Sequence, residues 1–148
     1  MRKTILAVAG VAAFAASPAF AQTDDMAVLL TTEDFCTVAA SDLDFGSSGQ
    51  VGTSNVDGSA GITVTCNPGA NWTVTLDNGL NFGTTRNMNG PGGNVPYGLF
   101  ADSAYASAFS SDTGIGSGST TVYGRIPSTA TPVSAGDYAD TVTVTVSY

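Results

Sequence analysis

Along most of the chain, apolar and polar residues alternate in short runs, and glycine, proline, asparagine and aspartate separate the runs. Successive side chains of a strand point to opposite faces, so this pattern predicts half-buried β-strands. Ile62–Cys66 and Trp72–Leu76 read this way, with Asn67–Asn71 as the turn between them. Asp77-Asn78-Gly79 has the chemistry of a hairpin turn, and Asp57-Gly58 and Asn89-Gly90 mark further turns. Tyr97–Phe100 and Thr121–Ile126 predict two more strands, the second stopped by Pro127. Thr141–Tyr148 alternates throughout, which puts Val142, Val144, Val146 and Tyr148 on one face and threonine and serine on the other. Ser110–Thr121 is rich in Gly, Ser and Thr and predicts a flexible loop inside the domain. Helical periodicity is absent from these segments, and no repeat is visible. Short strands at this spacing predict an all-β sandwich or small barrel.

The first residues read as an export signal. Met1-Arg2-Lys3 is basic, Thr4–Phe14 is apolar, and Pro18-Ala19-Phe20-Ala21 ends in the small-x-small pattern that signal peptidase reads. Residues 1–21 are therefore expected to be removed, with cleavage between Ala21 and Gln22. The apolar run is short for a membrane span, and no later segment reaches that length. The expected product is an exported chain without stable membrane insertion, a single domain in length. In an oxidising compartment its two cysteines, Cys36 and Cys66, predict one disulfide.

Charge and side-chain inventory narrow the chemistry. Residues 22–148 carry Arg86 and Arg125 against 12 acids, a net charge of −10. Such a surface repels phosphate backbones, so no nucleic-acid partner is expected. The chain has no histidine, and its one lysine lies in the leader. A general base near neutral pH and an activator for a serine nucleophile are both missing. A glycosidase-type carboxylate pair would be the remaining option, and with so many acids proximity alone says little. Asp42-x-Asp44 and Asp137/Asp140 form no recognisable calcium loop, and the ligands for zinc are lacking. The expectation is a protein that is not an enzyme and takes no metal or cofactor. Trp72, inside an alternating strand, reads as core rather than as a sugar-stacking platform.

The stretch Gln22–Asp34 is unusual. Met26, Val28, Leu30 and Thr32 share one face, and Ala27, Leu29 and Thr31 share the other. The pattern alone allows an ordinary first strand of the sandwich, or a strand held for another copy. Soluble β-proteins guard open edges with lysine, proline or bulges. Here the first and last strands carry neither lysine nor proline, which leaves their edges open to pairing.

A set of ordered motifs extends over residues 35–148. It comprises Phe35-Cys36-Thr37-Val38, Leu43-Asp44-Phe45-Gly46, Ile62–Cys66, Leu76–Gly79 and Arg86-Asn87-Met88. It continues with Tyr97–Asp102, Tyr123–Pro127 and Ala135–Asp140 before the terminal Thr/Val strand. Together they resemble the spore coat protein U domain, shared by pilins of the archaic chaperone–usher pathway; Phe100 stands where that family often has tyrosine. The resemblance implies an incomplete immunoglobulin-like β-sandwich (35–148) preceded by an N-terminal donor strand (22–34). It implies assembly by donor-strand complementation, a known form of β-augmentation. The donor side chains would be Met26, Val28, Leu30 and Thr32. The acceptor groove and chaperone-pairing strand would be Val142, Val144, Val146 and Tyr148. The implied partners are neighbouring subunits, a periplasmic chaperone and an outer-membrane usher, and the implied location is a cell-surface pilus serving adhesion or biofilm formation. The alternatives are a surface adhesin or sugar-binding module, and a spore-coat or envelope protein that does not polymerise.

Overall fold

The computed structural model describes residues 20–148. The basic and apolar parts of the expected leader lie outside the described residues, and the expected cleavage point, Ala21–Gln22, lies just inside them. The chain divides into two units, residues 1–31 and 32–148. In the first, residues 20–31 form no helix or strand and are exposed along their length.

The second unit contains eight strands: β1 Cys36–Ala40, β2 Val56–Cys66, β3 Asn71–Leu76, β4 Arg86–Gly90, β5 Gly93–Phe100, β6 Ser111–Ile115, β7 Gly118–Ile126 and β8 Val144–Ser147. They build two antiparallel sheets that form an open half-barrel: a five-stranded sheet in the order β1-β2-β7-β5-β4 and a three-stranded sheet in the order β6-β3-β8. The inequality matters, because the smaller sheet cannot cover the whole inner face of the larger one.

Alternation decides what each strand buries. In β2, Ile62 and Val64 point inward; β3 contributes Trp72 and Val74, β5 Val95, Tyr97 and Leu99, and β7 Val122 and Ile126. Ile62, Val64, Val74 and Val95 are the largest fully buried side chains. Trp72 is buried, and its indole nitrogen donates to the Gly116 carbonyl at 2.8 Å. Gly114 and Gly118 lie against the Trp72 ring, where a Cβ would collide. Cys36 and Cys66 are register partners in the β1–β2 ladder and are joined by a disulfide.

Four expectations are corrected. Ser110–Thr121 is not a flexible loop: β6 and the start of β7 occupy it, and β6 pairs with β3 from Thr75↔Ser111 to Asn71↔Ile115. Its low hydrophobicity reflects an edge strand whose main-chain ladder, rather than buried side chains, holds it in place. Asp57-Gly58 is not a turn but lies within β2, opposite Arg125 and Gly124. Gly58 is there because its Cα lies against the Asp44 carbonyl, leaving no space for a Cβ. Asp77-Asn78-Gly79 does not close a hairpin; it begins a loop that carries the chain from the small sheet to β4 in the large one. The turn is local, with Gly79 at φ +82° and its amide donating to Asp77 Oδ1 at 2.9 Å. Finally, the terminal strand is regular only over Val144–Ser147, since Thr141–Thr143 follow the 77–80 loop with an irregular bonding pattern.

Candidate functional site

The feature that distinguishes this fold is a seam between the sheets, beside the last strand. β8 pairs with β3 on one side only, in the register Thr73↔Ser147, Val74↔Val146, Thr75↔Thr145 and Leu76↔Val144. Just beyond the ladder Thr143 still faces the chain that leaves β3: its carbonyl accepts from the Asp77 amide at 3.0 Å, and its own amide donates to the Asp77 side chain, at Oδ1, at 2.9 Å. Main-chain direction alternates along an antiparallel ladder. Thr143, Thr145 and Ser147 therefore face β3, and the peptide groups of Val142, Val144 and Val146 face away from it. That row of donors and acceptors has no strand partner among the described residues.

Beside this edge lies a cleft of about 450 Å³. Val142, Val144 and Leu76 form one wall, Ala40–Leu43 and Phe45 the other, and Ile62, Tyr97, Leu99, Val122 and Met88 the floor. The floor is the inner face of the large sheet at the place where the small sheet lacks a strand. Val142 and Val144 are half-buried, while Thr143 and Thr145 point to solvent.

Polar contacts fix the cleft's upper wall. The Tyr97 hydroxyl donates to Asp140 Oδ2 at 2.6 Å. The Asn81 amide and Asn81 Nδ2 both donate to Asp140 Oδ1, at 3.1 Å and 3.0 Å. The 77–81 loop is thus fastened to the approach of the last strand. Burial, then the hydrogen bond to Asp140 and its charge, hold the Tyr97 phenol well above its usual pKa, so it stays a donor. The Asp77 carboxyl is held below the usual carboxylate range, first by hydrogen bonding to Thr143 and then by the Gly79 amide. Tyr138 closes the same region, its hydroxyl donating to the Ser134 carbonyl and accepting from the Gly92 amide, each at 2.8 Å.

The seam is open over only part of its length. At the other end β1 approaches β8, and Phe35 meets Tyr148 edge-on with ring centroids 6.5 Å apart. Of the four groove residues named from the sequence, Val142 and Val144 line the cleft. Val146 packs half-buried against the core, opposite Val74, and Tyr148 sits at the closed end. The opposite wall and the floor were not identified from the sequence. Leu43-Asp44-Phe45 was the available signal, an apolar-polar-apolar run directly after β1. The donor-segment residues Met26, Val28 and Leu30 are 85%, 84% and 88% exposed, and Thr32 is exposed as well.

A second cleft, of about 480 Å³, shares Leu43, Phe45, Met88 and Tyr138 with the first and extends beneath the 44–50 and 133–137 segments. Among the described residues, no group of three or more His, Cys, Asp or Glu is placed to hold a metal ion. No helix among them is long and apolar enough to cross a membrane. The buried Trp72 offers no sugar-stacking face.

Fold and seam together define an open β-sandwich with an unpaired strand edge beside an apolar cleft. Residues 22–145 match the Spore Coat Protein U domain, and the chain belongs to that family. Among solved structures, the chain is similar to one in the CsuC–CsuE chaperone–tip adhesion subunit pre-assembly complex from archaic chaperone–usher Csu pili of Acinetobacter baumannii. The identity is 26%, the TM-score 0.53, and the match covers 80% of this chain and 40% of that one. No curated protein matches the chain.

Proposed function

We propose that this chain is a structural subunit of an extracellular pilus assembled by the chaperone–usher route. In this reading the body is an incomplete immunoglobulin-like sandwich, and Gln22–Thr32 of a neighbouring copy supplies the missing strand. The observation that carries the proposal is the coincidence of an unpaired edge at Val142–Val146 with an apolar cleft directly beside it. A strand laid there would pair its main chain with the free edge and put every second side chain into the cleft. Met26, Val28 and Leu30 have that spacing and are exposed. Burying the three would give roughly 5–9 kcal/mol as an upper bound, before main-chain hydrogen bonds are added. The similarity to a subunit crystallised with its chaperone supports the class of partner: a periplasmic chaperone first, an usher and further subunits afterwards. Export after cleavage between Ala21 and Gln22 delivers the chain to that route.

Deleting Gln22–Thr32 is the test. The shortened chain should fold and still bind its chaperone but add no further subunit to a fibre. A shortened chain that polymerises as the full one does would overturn the proposal.

A further inference from the structure

We propose that the inserted strand is held in one register by carboxylates that flank it on both faces; this rests on the strand-exchange reading above. The segment Met26–Thr32 is uncharged and is bounded by Asp24-Asp25 on one side and Glu33-Asp34 on the other. Strand alternation sorts these acids. Asp24 and Asp34 lie on the face of Met26, Val28, Leu30 and Thr32; Asp25 and Glu33 lie on the face of Ala27, Leu29 and Thr31.

The receiving seam is itself acidic at its open end. Asp42 and Asp140 line the first cleft, and Asp44 and Asp137 line the second, which continues from it. Elsewhere the first cleft is lined mainly by apolar side chains such as Ile62, Leu99 and Val144. A carboxylate moved into it loses water without meeting a cation in the lining, since Arg86 lies beside Tyr97, bound to the Asp77 carbonyl, and neither it nor Arg125 lines either cleft. Sliding the strand by two residues in one direction replaces Leu30 by Asp24 on the inward face. Sliding it by two in the other direction brings Asp34 toward the cleft. A slip by one residue turns the strand over and leaves Ala27, Leu29 and Thr31 inward, a poorer set. The slot thereby accepts one frame of the segment.

Cross-linking assembled full-length chains tests this. Thr145 points outward beside the free edge, so Thr145→Cys is combined in turn with Ala27→Cys, Leu29→Cys and Thr31→Cys on the outward face of the donor, which leaves Met26, Val28 and Leu30 intact. One donor position should dominate the intermolecular disulfide by at least about tenfold, the discrimination expected from burying an unpaired carboxylate. Adding Asp24→Leu should open a second position two residues away, while Asp25→Leu should not. Equal yields at several positions in the parent, or a single position that persists with Asp24→Leu, would overturn the register claim. Absence of intermolecular cross-links at every donor position would instead contradict the strand exchange itself.

Discussion

Tyr97 shows how one side chain serves both core and seam. Its ring is buried and meets Phe45 edge-on at 6.2 Å, while its hydroxyl reaches Asp140 across the cleft. A hydrogen bond to a charged acceptor contributes about 1.5–3 kcal/mol, so Tyr97→Phe should lower stability by that amount near neutral pH. The pH dependence has a definite sign. The folded-state pKa is raised, so the contribution is whole below the unfolded value, about 10, and is lost as pH rises beyond it. Denaturant titrations from pH 8 to 11.5 should show falling stability above pH 10 in the parent and a flatter profile in the variant. A parent as flat as the variant would remove Asp140 from this account. The disulfide acts at the same scale. Cys36 and Cys66 are 30 residues apart, and a loop of that size is worth roughly 3–4 kcal/mol in the chain-entropy model. Cys36→Ser with Cys66→Ser should reduce stability accordingly, and added reductant should have no effect on that variant's melting temperature.

Among the elements, β8 has two faces with different duties. Val144 faces the cleft and Thr145 faces solvent, although they are neighbours in sequence. Val144→Asp should weaken strand acceptance by roughly 30- to 150-fold, the effect of about 2–3 kcal/mol from a charge in an apolar slot. Thr145→Asp should change it less than about threefold. Isothermal titration of each variant with a Gln22–Thr32 peptide measures both, and equal losses would mean that the cleft is not where the strand binds. The alternation that separates these residues is plain in the sequence, as are the cores of β2, β3, β5 and β7. β6 is not, because an edge strand of Ser-Asp-Thr-Gly-Ile, with its one large apolar side chain exposed, lacks the apolar alternation that marks a buried strand. Asp77–Gly79 carried the right turn chemistry, but local chemistry does not say whether the chain pairs back or crosses to the other sheet. The cleft's far wall comes from residues 40–45, which gain meaning only when β1 lies across from β8.

For the whole molecule, the imbalance between a five-stranded and a three-stranded sheet is the central property. A sandwich closes when each inner face is covered, and here part of the larger sheet's inner face lies open beneath the cleft. In the proposed reading the missing element is Gln22–Thr32, a segment of suitable length and alternation that this chain carries outside its own sheets. In that reading, head-to-tail use of such a segment builds an open fibre when the rotation between copies does not close a ring. The most direct measurement is the melting temperature of the chain shortened by Gln22–Thr32, titrated with a synthetic peptide of those residues. A ligand that binds only the folded state at 100 times its Kd adds about 2.7 kcal/mol. A saturable rise of several degrees is expected, abolished when Met26, Val28 and Leu30 are replaced by serine but retained when Ala27, Leu29 and Thr31 are. No rise, or the same rise with either set replaced, would contradict it.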